Sequence, residues 1–126
     1  MNSVKILLVD SSLVVRKPLK QLLNNIPNLF VVGECLDEDE VAGFLNTNNV
    51  DVILMDVTAE FKNDFRAIRK IKQLYSTIKI VGFSFTDHLY YVNKMISCGA
   101  DGFVSKFDAN QDLISSELKR VVDFSD

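Results

Sequence analysis

The chain has no excess of positive charge: fourteen Lys and Arg stand against seventeen Asp and Glu, a net charge of −3. It therefore lacks the basic footprint that binding to a phosphate backbone requires, and direct nucleic-acid binding is not expected. Long apolar runs are missing as well; none approaches the roughly 20 residues of a membrane-spanning helix. The only two cysteines, Cys35 and Cys98, match no metal spacing and are expected as reduced, small core residues. The single histidine, His88, follows Thr86-Asp87 at a helix start, where a surface or capping position is expected. No Gly-rich phosphate loop, repeat, low-complexity segment or internal linker occurs. Met1-Asn2-Ser3-Val4-Lys5 lacks the basic start and cleavage pattern of a secretory signal, so a cytoplasmic location is the expectation.

With 126 residues, 48% hydrophobic and 25% charged, the composition is that of one globular domain, expected to span 1–126 and to bury a core. Its organising stretch is Val52-Ile53-Leu54-Met55, four consecutive apolar residues that stop at Asp56. Such a run reads as a buried parallel strand with a carboxylate at its carboxyl end, the edge where open α/β sheets collect ligands. Four more runs have strand character: Lys5–Val9, ending at Asp10-Ser11-Ser12; Leu29–Cys35; Ile78–Phe83, closed by Ser84; and Gly102–Ser105, followed by Lys106.

Helical spacing separates them. Val14, Val15, Leu19, Leu22 and Leu23 mark a first helix that Ser11 or Ser12 can cap. Pro18 predicts a kink or a late start there, since a helix-interior proline costs roughly 3 kcal/mol. Asp37-Glu38-Asp39-Glu40 opens a second helix as a solvated acidic start. Ala67, Ile68, Ile71 and Leu74 give a third, with Arg66, Arg69, Lys70 and Lys72 expected to face water. Leu89, Val92, Met95 and Ile96 mark a fourth, stopping at Cys98-Gly99, and the fifth runs from about Ala109 to Val122. Five strands alternating with five helices predict an α/β fold with a parallel sheet covered on both faces and right-handed crossovers; taken as doubly wound in the order 2-1-3-4-5, it is a flavodoxin-like three-layer sandwich.

That order makes the first and third strands neighbours, so Asp10 and Asp56 should meet, with Ser84 and Lys106 at the same edge. A carboxylate pair is a hard-oxygen site suited to Mg²⁺, and a carboxylate can act as a nucleophile toward phosphorus. A lysine, a hydroxyl and Mg²⁺ would stabilise the oxygens of a transferring phosphoryl group.

These residues resemble, over essentially the whole chain, the receiver domain of two-component response regulators. The resemblance is carried by Val9-Asp10, Met55-Asp56-Val57, Phe83-Ser84 and, most specifically, Gly99-Ala100-Asp101-Gly102-Phe103-Val104-Ser105-Lys106. It implies that Asp56 is the phosphoacceptor for a histidine kinase or phosphotransfer protein, in a Mg²⁺-dependent reaction. Asp10, Asp56 and the backbone carbonyl of Thr58 would be metal ligands, and Lys106 would pair with the phosphoryl oxygens. Ser84 and Phe103 would form the switch, reporting to the surface of the fourth helix, fifth strand and fifth helix. The implied domain is a signalling switch, not an enzyme in the ordinary sense, and a homodimer is compatible with it.

The chain departs from the family pattern at several positions. Ser11 stands where a second acid is usual, so it offers only a neutral oxygen and Mg²⁺ affinity should fall. Val57-Thr58-Ala59-Glu60 replaces the usual loop, with Glu60 a conceivable source of the missing charge. Phe85 takes the place of a small residue, a bulk that would restrict access to the phosphoryl group or slow its hydrolysis. Phe107 replaces the usual proline after Lys106. These departures favour an alternative class, a pseudo-receiver that binds partners without phosphorylation. A flavodoxin-like or hydrolytic enzyme ranks last: a Gly-rich loop is absent, and Asp56-Val57-Thr58 lacks a second nucleophile-side acid.

Overall fold

The computed structural model describes residues 3–57, 62–85 and 88–122, with only the backbone at 62–64. Its elements are β1 (Val4–Val9), α1 (Leu13–Asn24), β2 (Leu29–Cys35), α2 (Glu38–Thr47) and β3 (Val52–Asp56), followed by α3 (Lys62–Leu74), β4 (Lys79–Ser84), α4 (Leu89–Ser97), β5 (Gly102–Ser105) and α5 (Gln111–Val122). The strands form one parallel sheet in the order β2-β1-β3-β4-β5. The flavodoxin-like architecture expected from the alternation is therefore the one observed.

Strand periodicity divides the core in two. Leu7, Val9, Ile53 and Met55 point to one face, against Val41 of α2, Ile68 and Ile71 of α3 and Met95 of α4. Ile6, Leu8, Val52 and Leu54, the alternate residues, point to the other, against Leu23 of α1 and Ile114, Leu118 and Val121 of α5. Because both faces are covered, Val52–Met55 is apolar without alternation. No described helix is long and apolar enough to cross a membrane.

Several local expectations need correction. Neither a serine side chain nor a late start shapes α1: Ser12 occupies the cap position without a side-chain bond, and the helix begins at Leu13 with Pro18 inside it. The Ser12 carbonyl accepts from Val15 and Arg16, while Asp10 Oδ1 takes the Ser12 N–H at 2.8 Å and shapes the turn instead. Val14, Leu74, Leu89 and Ile96 lie exposed, because a helix on a sheet buries only the stripe nearest the strands. Lys72 does not face water. Its ammonium reaches Asp101 Oδ2 at 2.9 Å and the Ile78 carbonyl at 3.0 Å, and Asp101 Oδ2 also accepts from Ile80 N. Asp37 is more than a solvated acid, since its Oδ1 accepts from Glu40 N at 3.2 Å and caps α2. α5 starts at Gln111, where Asn110 Oδ1 accepts from Leu113 N at 2.9 Å. Gly99 ends α4 with φ +119°, the positive value foreseen for a helix terminus.

Candidate functional site

Strand register brings the polar residues to one edge. Val9 pairs with Met55, which sets Asp10 and Asp56 side by side one residue further on. Asp56 pairs with Phe83 and Ser84 with Ser105, and Lys106 N donates to the Ser84 carbonyl at 2.7 Å. Lys106 then turns back across the edge, with Nζ 2.5 Å from Asp56 Oδ1 and 3.6 Å from Asp10 Oδ2. The Phe83 and Phe85 rings flank the same ammonium, with centroids 5.2 and 5.3 Å away.

Asp10 is buried, and its Oδ2 has no hydrogen-bond partner. A buried carboxylate oxygen in that state needs a cation or a donor, and one ammonium 3.6 Å away only partly answers it. The adjoining cleft, about 290 Å³, is lined by Asp10, Ser11, Asp37, Glu38, Asp39 and Asp56 among others. The neighbouring carboxylates of Asp10 and Asp56 are hard oxygen ligands of the kind Mg²⁺ takes, so the residues present fit that ion. Among the described residues no group of three His, Cys, Asp or Glu is placed to hold a metal by itself.

The structure thus joins Asp10, Asp56 and Lys106 in direct contact and sets Ser11 on the cleft wall. Ser84, buried, lies at the neighbouring strand end. Phe103 is half-buried on β5, packed against the core that includes Met95 and away from the cleft lining. Thr58, Glu60, Thr86 and Asp87 lie outside the described residues. His88 caps α4, its Nδ1 accepting from Tyr90 N at 3.2 Å. The Lys106–Phe107 bond is trans.

Two contributors went unforeseen. Asp37, Glu38 and Asp39 line the cleft because β2 ends at the same edge as β1 and β3. The Phe83 contact with Lys106 had no sequence signal beyond adjacency to Ser84. Elsewhere, burial is the main cause that pushes the Cys35 thiol up to about 11, helped by Glu40 and Asp37, as befits an inert core cysteine. A larger depression of about 610 Å³ runs along α1 beside Glu34 and shares no lining residue with the cleft.

The family model of the response regulator receiver domain matches residues 6–117. The chain belongs to that family. Among curated relatives, this receiver is 29% identical to the Fimbriae Z protein of Escherichia coli K12 over 113 residues, 90% of the chain and 54% of the relative. It is 31% identical to the response regulator UvrY of the same strain over 113 residues, 90% of the chain and 52% of the relative. The receiver therefore spans about half the length of the curated relatives it matches. Among solved structures, a LuxR-family two-component response regulator from Aurantimonas sp. SI85-9A1 superposes with a TM-score of 0.85 at 24% identity, covering 96% of this chain and 86% of that one. Receivers are the signalling domains of two-component systems, and phosphorylation with Mg²⁺ is a feature of the family.

Proposed function

We propose that this receiver accepts a phosphoryl group on Asp56 and thereby switches a protein-interaction surface. The observation that carries the reading is the Lys106 ammonium, held 2.5 Å from Asp56 Oδ1 and 3.6 Å from the buried Asp10 Oδ2, which has no hydrogen bond. In the transfer, one Asp56 oxygen bonds to phosphorus while the bond from phosphorus to the donor's imidazole nitrogen breaks, and that nitrogen keeps the electron pair. Lys106 balances the charge on the phosphoryl oxygens from a position already fixed by its contacts. When bound, Mg²⁺ would neutralise further charge on those oxygens. Asp10 and Asp56 would hold it, with the Thr58 carbonyl assigned by the family pattern and Ser11 as a neutral extra oxygen.

Ser84 is assigned to meet the new anion, and Phe103 to pass the change to the face of α4, β5 and α5. The donor is a histidine kinase or phosphotransfer protein, and a homodimer through that face is one output. The whole of 1–126 is read as this one domain. The test is intact-mass spectrometry after incubation with acetyl phosphate, with and without Mg²⁺, on the wild type and Asp56→Asn. A Mg²⁺-dependent phosphoryl adduct, absent from the variant, is expected; no adduct on the wild type would sink the reading.

Ser11, a neutral side chain on the cleft wall, favours a second reading in which the same fold binds its partner without phosphorylation. In that case Asp56→Asn would leave partner binding unchanged.

A further inference from the structure

The Lys106 side chain is only 9% exposed, yet the Phe85 ring beside its ammonium, and the Phe107 ring that ring meets, are open to water. Phe85 is 60% exposed and Phe107 68%. Their rings meet edge to face, with centroids 5.3 Å apart and planes at 64°. Phe107 is the residue after Lys106, and Phe85 the residue after Ser84, so the pair bridges the ends of β4 and β5 at the phosphoryl edge. An ammonium taken out of water needs compensation on every side. Asp56 and Asp10 supply it on one side and the buried Phe83 ring on another. The exposed Phe85 ring, with its centroid 5.3 Å from Nζ, closes the side facing solvent.

We propose that Phe85, braced by Phe107, is a positioning residue: an aromatic lid that seats Lys106 on Asp56 and keeps water from a phosphoryl group there. The second half of that statement rests on Asp56 being the phosphoacceptor. Loss of the group is hydrolysis: a water oxygen bonds to phosphorus, the bond from phosphorus to the Asp56 oxygen breaks, and the water's protons pass to the released phosphate and solvent. The Phe85 ring beside the ammonium, held by Phe107, narrows the approach of that water and holds the lysine stem in one conformation.

Two measurements test the lid separately from the phosphoacceptor reading. The first, on unphosphorylated protein, is the rate at which an amine-acylating ester modifies Lys106, followed by peptide mass mapping. Lys106 should be slow in the wild type, roughly tenfold faster in Phe85→Ala, the scale of one desolvated cation–π contact, and slow again in Phe85→Tyr. The second loads each protein with acetyl phosphate and Mg²⁺, removes the donor and follows the adduct by intact mass. Phe85→Ala should lose it about tenfold faster than wild type, Phe107→Ala should also lose it faster, and Phe85→Tyr should keep the wild-type lifetime. Unchanged acylation of Lys106 in Phe85→Ala overturns the seating, and an unchanged lifetime overturns the shielding. If the wild type takes no phosphoryl group, the phosphoacceptor reading and the shielding fall together, and the acylation rates alone decide the seating.

Discussion

The ammonium of Lys106 rests 2.5 Å from the carboxylate of Asp56, a residue 50 positions earlier in the chain. Strand order makes the contact: β5 joins the sheet through β4, which pairs with β3, and the lysine crosses back over that neighbour. One cation therefore serves both Asp56 and Asp10.

Lys106→Ala should slow formation of the phosphoryl adduct on Asp56 by about 100-fold, the scale for removing one preorganised charge partner. It should also lower stability at neutral pH by about 2 kcal/mol, because Asp10 and Asp56 would face each other without a cation. Stopped intact-mass time courses and urea unfolding read the two effects.

Ser11→Asp restores a second carboxylate to the cleft and should tighten Mg²⁺ binding about tenfold by added Coulomb attraction. Asp10→Asn should weaken it by a similar or larger factor. Isothermal calorimetry checks both, and unchanged affinity in either variant would place the cation elsewhere.

A Cβ at Gly33 would lie 2.3 Å from the Phe44 ring, which packs from α2 onto β2. Gly33→Ala should cost about 1–3 kcal/mol through overpacking. Adding Phe44→Leu should recover part of the loss, giving a non-additive double-mutant cycle in urea unfolding.

Glu117 ties α5 to the edge strand, its Oε1 accepting from Arg120 at 2.8 Å and its Oε2 from Phe103 N at 2.9 Å. The Arg120 hydrogen bond is the main cause that holds its carboxyl below the ordinary 4.5, against the opposing effect of burial. With the folded value lower than the unfolded one, the stabilisation is complete above about pH 4.5 and is lost as pH falls through the folded value. Glu117→Gln should therefore cost about 1 kcal/mol at pH 7. The gap to wild type should close in urea titrations as pH is lowered below 4.5, and a gap independent of pH would contradict the assignment.

The strands and helices were legible because their signals are local. Val52–Met55 followed by Asp56 announces a buried strand and its end, and the Gly99–Lys106 stretch carries the family pattern within eight neighbouring positions. Helix faces were less legible. Val14 and Leu74 obey the apolar period yet lie exposed, since periodicity records which side a residue is on but not how wide a stripe the sheet covers. Lys72 was read as solvated because its partner, Asp101, lies 29 residues away and meets it only through packing of α3 beside β4.

By itself, then, the sequence determined the alternation of elements and which polar residues stand at the strand ends, because turn chemistry and hydrophobic period act over a few neighbouring residues; the order of the sheet followed only from the fold class that the alternation and the family pattern suggested. Only the tertiary structure decided what those residues touch: that Lys106 sits on Asp56 between the Phe83 and Phe85 rings, that Asp10 keeps an oxygen without a hydrogen bond, and that the acids opening α2 line the cleft. Those contacts depend on strand register and side-chain direction across the sheet, which local pattern does not encode.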